Sequence, residues 1–231
     1  GLPQKFVDYS HSMADAMPAL AFSDRGTFAT CQETELTANG SADSALQPPA
    51  VLWQADTDVF NAAGATEFYG AAVDALRAGR LCTGVAWKEE HGFYVVDGEK
   101  GNLEFLDFRR QGVPGALAVS NGRKFRILAG ELTRVPGVPS HMVMDAETRR
   151  LWITDPGNQR ILWLDVDSGE PGALIFLNED PGTTYQKWKD PVWGGLETDH
   201  SFQLPSGITR EEGILYVSDF ATGEIVAITT E

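Results

Sequence analysis

The sequence predicts an all-β fold of radially stacked sheets, on three observations. One phrase recurs with its register intact: LCTGVAWKEEHGFYVVDGEKGNLEFLDF at 81–108, VPSHMVMDAETRRLWITDPGNQRILWLDV at 138–166 and LPSGITREEGILYVSDFATGEIVAI at 204–228. Each copy holds two alternating apolar runs around a polar turn and then a third run, the pattern of three antiparallel strands whose side chains alternate faces. A fainter copy, MPALAFSDRGTFATCQ, stands at 17–32. Repetition of a strand-rich unit at this scale is the signature of a β-propeller, in which each small sheet buries its faces against its neighbours. Four long repeats are present, and the segments between them leave room for four to six blades.

Pro18, Cys82, Pro139 and Pro205 head the copies at intervals of 64, 57 and 66 residues. Leu20, Phe22, Val85, Trp87, Met142, Met144 and Ile208 are assigned to inner strands. Phe93, Val95, Leu151, Ile153, Leu215 and Val217 are assigned to the next strand, all as packing between blades. Outer strands are expected from PGALAV at 114–119 and PGALIF at 171–176, which are 57 residues apart like the adjacent anchors. KFRIL at 124–128 precedes Pro139 as KFVDY at 5–9 precedes Pro18, and strand 5–9 is expected to complete the last blade and remove its edge. The stretch 36–80 is an insertion, with a short helix expected over 64–79 because Phe68, Val73 and Leu76 share a helical face between Gly64 and Gly79.

The second apolar run closes on Asp97, Asp155 and Asp219, with Cys31 at that place in the first copy. An Asp there accepts turn amides before Gly or Asn, so these three, with Asn102 and Asn158, are expected to be structural turn residues. Cys31 ends a strand of one blade and Cys82 begins the inner strand of the next, which brings them within reach of a disulfide. Such a bridge fits an extracellular or periplasmic chain. Asn39-Gly40-Ser41 is a glycosylation sequon, meaningful only in a secreted eukaryotic chain.

The 231 residues form one domain with no boundary in composition. A net charge of -15 argues against a nucleic-acid surface. No run of eighteen apolar residues supports a membrane-spanning helix. A strand-to-helix phosphate loop, a G-x-S-x-G elbow and an H-E-x-x-H motif are all missing.

The strings PSHMVMDAETRRLWITDPGNQRILWLD and PSGITREEGILYVSDFATGEIVAI resemble NHL-repeat propellers, and more loosely the gluconolactonase/regucalcin propellers. The resemblance covers 82–108, 139–165 and 205–228 well and 18–32 weakly. It implies a propeller fold and either a secreted binding scaffold or a metal-dependent activity. Ser140-His141-Met142 resembles the histidine-bearing start of an inner strand in the peptidyl-amidoglycolate lyase propeller, whose zinc sits on histidines near the channel. The same repeat position holds Leu20, Gly84 and Gly207, so His141 is the exception among the copies.

His11 and His200 precede Pro18 and Pro205 at similar distances and are expected on the same face as His141, whereas His91 lies in a turn toward another rim. His11, His141 and His200 are therefore the candidate ligands of a divalent metal, zinc or calcium, with Asp15, Glu197 and Asp199 as candidate base or supporting groups. Tyr185, Trp188 and Trp193 form a candidate binding rim, because aromatics bury area while holding their orientation. Two readings follow: a ligand- or protein-binding propeller, with further blades supplied by another chain as one form of partner, or a metal-dependent hydrolase or lyase at the channel mouth.

Overall fold

The computed structural model describes residues 18–31, 33, 50–56, 72–76, 81–108, 118–119, 122–176 and 184–230. The first repeat supplies β1 (Ala19–Phe22), β2 (Thr27–Cys31), β3 (Ala50–Gln54) and β4 (Ala72–Leu76). The second supplies β5 (Val85–Glu89), β6 (Gly92–Asp97), β7 (Asn102–Asp107), β8 (Ala118–Val119) and β9 (Arg123–Leu128). The third supplies β10 (Met142–Asp145), β11 (Arg150–Asp155), β12 (Arg160–Asp165), β13 (Glu170–Phe176), β14 (Thr184–Lys189) and β15 (Trp193–Gly195). The fourth supplies β16 (Pro205–Glu211), β17 (Ile214–Asp219) and β18 (Ile225–Thr229).

These strands form four sheets, the blades of a β-propeller arrangement: β1-β2-β3-β4-β8, β5-β6-β7-β9-β14-β13, β10-β11-β12-β15 and β16-β17-β18. The described part of the first PGAL segment, β8, and the second, in β13, do not serve as outer strands of their own repeats. Strand β8 joins the sheet of the first repeat in parallel with β4, and β13 joins the sheet of the second through β14. The helix expected over 64–79 is replaced at 72–76 by β4, which pairs with β3 from Ala50↔Leu76 to Trp53↔Ala72. Its sequence AVDAL suits a strand because Val73 meets the sheet-to-sheet core, an available partner that outweighs the helical spacing. The rest of that segment, the strand expected at 5–9 and the sequon at 39–41 lie outside the described residues.

Three seams join successive blades. Ala29, Cys31, Leu52 and Val73 pack on Val85, Phe93 and Val95. Tyr94 and Val96 pack on Met142, Leu151 and Ile153, and Trp152 and Ile161 pack on Leu215 and Val217. Each fully buried large side chain contributes about 1.5–3 kcal/mol, so the seams rather than any single sheet hold the molecule together. The first seam is also bridged by the Cys31–Cys82 disulfide, with Cα atoms 5.5 Å apart.

Strand pairing corrects the alignment of the first repeat by one residue. Val85 lies opposite Val95, Met142 opposite Ile153 and Ile208 opposite Val217, and their counterpart is Leu20 opposite Thr30. Thr30 thus stands where those second-strand residues stand, and Cys31 stands one position before the recurring Asp. Pro18 precedes its channel-lining residue by two positions, whereas Pro139 and Pro205 precede theirs by three. Because side chains alternate faces, that single residue decides which side chains meet the next blade. Leu20 and Phe22 accordingly face away from the second blade and are 55% and 61% exposed, not buried between blades.

Candidate functional site

The inner strands converge on a central cavity of about 310 Å³ lined by Pro18, Ala19, Leu20, Val85, His141, Met142 and Ile208. Equivalent positions of the four blades supply Leu20, Val85, Met142 and Ile208, so the apolar share of the wall is a direct product of the repeat, and polar atoms make up about half of the exposed lining. The preceding position holds Ala19, Gly84, His141 and Gly207. Three of these are small, and His141 alone sends a ring into the space they leave.

Backbone hydrogen bonds between blades fix the start of the third inner strand. Ser140 N–H donates to Thr83 O at 3.0 Å, and His141 N–H donates to Ser206 O at 3.1 Å. The His141 carbonyl accepts Thr154 N–H at 3.0 Å, while the Thr154 hydroxyl donates to Ser206 O at 2.9 Å. Gly84 is required for this approach because a Cβ there would fall on the Ser140 carbonyl. Across the channel, His141 Nε2 lies 3.1 Å from the Pro18 carbonyl oxygen. A carbonyl only accepts, so Nε2 carries the proton and, in the neutral ring, Nδ1 is left as an acceptor. Arg134 forms an ion pair with Glu33, adding a second tie from the first blade to the loop before the third.

The other expected ligands sit elsewhere or beyond view. His200 stacks edge-on against Phe202 with centroids 4.7 Å apart, and neither it nor the exposed Glu197 and Asp199 lines the cavity. His11 and Asp15 lie outside the described residues. Among the described residues, no three His, Cys, Asp or Glu side chains gather as a metal site.

Of the three rim candidates, Tyr185 is buried, and Trp188 and Trp193 are half-buried. Tyr185 is buried between strands and donates its hydroxyl to Glu104 Oε2 at 3.1 Å. Lys124 and Arg126 approach its ring at 5.2 and 5.1 Å. Burial, then the Glu104 carboxylate, holds its phenol above the ordinary range. Trp188 donates to Ser168 O at 2.9 Å and meets Phe125 edge-on, and Trp193 packs on the second seam. Strand β14 carries Tyr185 and Trp188 into the second blade, which sequence spacing had no means of showing.

The recurring Asp residues reach further than their own turns. Asp97 accepts Glu99 N–H and Lys100 N–H at 3.1 and 3.2 Å, and Asn102 bridges from Asp97 to Gly130 N–H. Asp155 accepts Thr133 N–H at 2.8 Å as well as Asn158 and Arg160. Asp219 accepts Gln203, Leu204, Ala221 and Thr222 N–H groups. In the last two blades the carboxylate therefore clamps the segment leading into the inner strand. Burial pushes the Asp97 carboxyl up, whereas at Asp219 the backbone donors outweigh burial and hold it down.

The sheet order and the shared channel define an all-β propeller. No family model matches the chain and no curated protein matches it. A chain in the crystal structure of a nidogen/laminin complex is similar at 16% identity and a TM-score of 0.50, over 91% of this chain and 58% of that one. This chain therefore spans less than two thirds of the matched chain, and the likeness is one of fold. Among the described residues, no helix is long and apolar enough to cross a membrane.

Proposed function

We propose that this chain is a secreted or periplasmic binding propeller that takes an apolar group bearing a hydrogen-bond donor into its central channel. The observation that carries the reading is the channel itself, lined at equivalent positions of four blades by Leu20, Val85, Met142 and Ile208 together with His141, whose Nε2 is engaged by Pro18 so that Nδ1 is its acceptor. A 310 Å³ space fits a small ligand or one side chain of a protein partner. The Cys31–Cys82 bridge supports an oxidising compartment. The NHL-like phrases and the fold shared with a chain from a protein–protein complex agree with a scaffold that binds. The hydrolase or lyase reading needs ligands beside His141, and the described candidates lie outside the cavity lining.

Methyl-labelled protein titrated with small aliphatic amides and amines tests this. Shifts centred on Val85, Met142 and Ile208, weakened by His141→Ala, are the expected result. Shifts confined to other surfaces, or none with any probe, would overturn it. Zinc and calcium added in parallel arms test the metal reading.

A further inference from the structure

The two flanks of the molecule carry the two halves of the seam that it builds three times within itself. Tyr94 and Trp152 hold equivalent positions on β6 and β11 and are 3% and 2% exposed beneath the following blade. Their counterpart on β17, Tyr216, is 37% exposed, and beside it Ile225, paired with Ser218, is 75% exposed. On the opposite flank Leu20 and Phe22 stand where Met142 and Met144 meet a preceding blade, and both are exposed. Phe22 continues inward as a row of rings, 5.3 Å to Phe28 and then 6.2 Å to Trp53. An apolar sheet face of this kind marks an interface.

Two of the internal seams carry an acid-to-arginine contact of one order, beside a Lys88–Asp167 contact of the reverse order at the second seam. At the second seam Glu89, beside the first turn of one blade, meets Arg149 in the first turn of the next at 3.3 Å. At the third seam Asp145 and Glu147 meet Arg210 of the next blade at 3.0 and 3.6 Å. In both cases the acid belongs to the preceding blade and the arginine to the following one. The fourth blade carries Glu211 and Glu212 in its first turn, and the first blade carries Arg25 in its own, ion-paired to its neighbour Asp24 at 3.4 Å.

We propose that this chain binds a second copy of itself head to tail, the fourth blade of one copy packing on the first blade of the other with Glu211 and Glu212 facing Arg25. A second copy is the occupant because, among the described residues, each flank lacks the surface that the other flank displays, in the kind of packing that the internal seams already use. Because the four blades of one copy already curve around one channel, the contact is made one flank at a time and links copies head to tail. Both copies are acidic overall, so added salt relieves their repulsion and strengthens the contact between apolar faces.

Sedimentation equilibrium at roughly 100 μM protein, in low and high salt, is the test. The wild type is expected to associate, and Phe22→Asp and Ile225→Asp are each expected to be monomeric with unchanged circular dichroism, since both side chains are exposed. An equimolar mixture of the two variants is expected to form a heterodimer, because one intact flank remains on each and the two are complementary. Arg25→Glu weakens association at least about tenfold, and Glu211→Arg with Glu212→Arg in the partner copy restores it. A monomeric wild type under all conditions overturns the proposal. So does a variant mixture that stays monomeric, or loss of association with Ile225→Asp while Phe22→Asp has no effect, which would mark contact between two fourth blades.

Discussion

His141 Nε2 lies 3.1 Å from the Pro18 carbonyl oxygen, so a side chain of the third blade is tied to the backbone of the first across the channel. This bond orients the ring and leaves Nδ1 as the acceptor of the neutral imidazole. His141→Ala is expected to enlarge the cavity, weaken binding of donor-bearing apolar probes at least about tenfold and lower stability by about 1 kcal/mol. His141→Gln, which retains a donor and an acceptor, should recover part of the stability loss. Urea denaturation and probe titration on the same preparations separate the two effects.

Gly84 and Gly207 share a repeat position but differ in what surrounds them. A Cβ on Gly84 meets the Ser140 backbone carbonyl, which is fixed by the bonds between blades. A Cβ on Gly207 meets the Ser218 hydroxyl, a side-chain tip that can turn aside at the cost of its bond from the Gly207 N–H. Gly84→Ala should therefore cost about 1–3 kcal/mol and Gly207→Ala less than about 1 kcal/mol, as read from denaturation midpoints at constant slope.

The Cys31–Cys82 bridge closes a separation of 51 residues that includes β3 and β4. Chain-entropy reasoning puts its stabilising effect at about 4 kcal/mol, with measured values commonly lower. Replacing both cysteines with serine should lower the unfolding free energy by about 2–4 kcal/mol, mostly through the unfolded chain. Hydrogen exchange should quicken first in β2 and β3, beside the lost bridge. Equal quickening in β16 and β17 would show that the staple acts on the whole molecule instead.

What the sequence showed was decided by how local each feature is. The hairpins β5-β6, β10-β11 and β16-β17 were legible because alternation and turn chemistry are contained within a few residues. Cys31 with Cys82 was legible through repeat position, although Cys31 itself was placed one residue off. The weak first copy has a shorter lead from Pro18, and without Asp at its end the register had no second anchor. The courses of β8 and β13 into preceding sheets were hidden, since pairing between distant segments leaves no periodic mark. Tyr185 was misread for the same reason: its burial comes from β7 and β9, which lie far from it in sequence. At the channel, His141 stood out as the exception to a small-residue position, while its contact with Pro18 depends on how tightly the blades curve.

Asp97 and Asp219 occupy the same place in their blades and should respond to acid in opposite directions. Four backbone amides donate to the Asp219 carboxylate and hold its pKa below the unfolded value despite burial. Its stabilising effect is therefore complete above the unfolded pKa of about 4 and is lost as pH falls through the lower folded value. At Asp97 burial outweighs two turn amides and raises the folded pKa. The folded state then gains relative stability as pH falls through that raised value, because the buried charge is neutralised. Asp219→Asn should cost about 1–3 kcal/mol near neutrality, with the difference from wild type shrinking in acid. Asp97→Asn should be less harmful near neutrality than in acid, where the wild-type carboxyl is already neutral. Urea unfolding of the three proteins from about pH 3 to about pH 7 reads both slopes, and parallel curves for the two variants would contradict the assignment of opposite shifts.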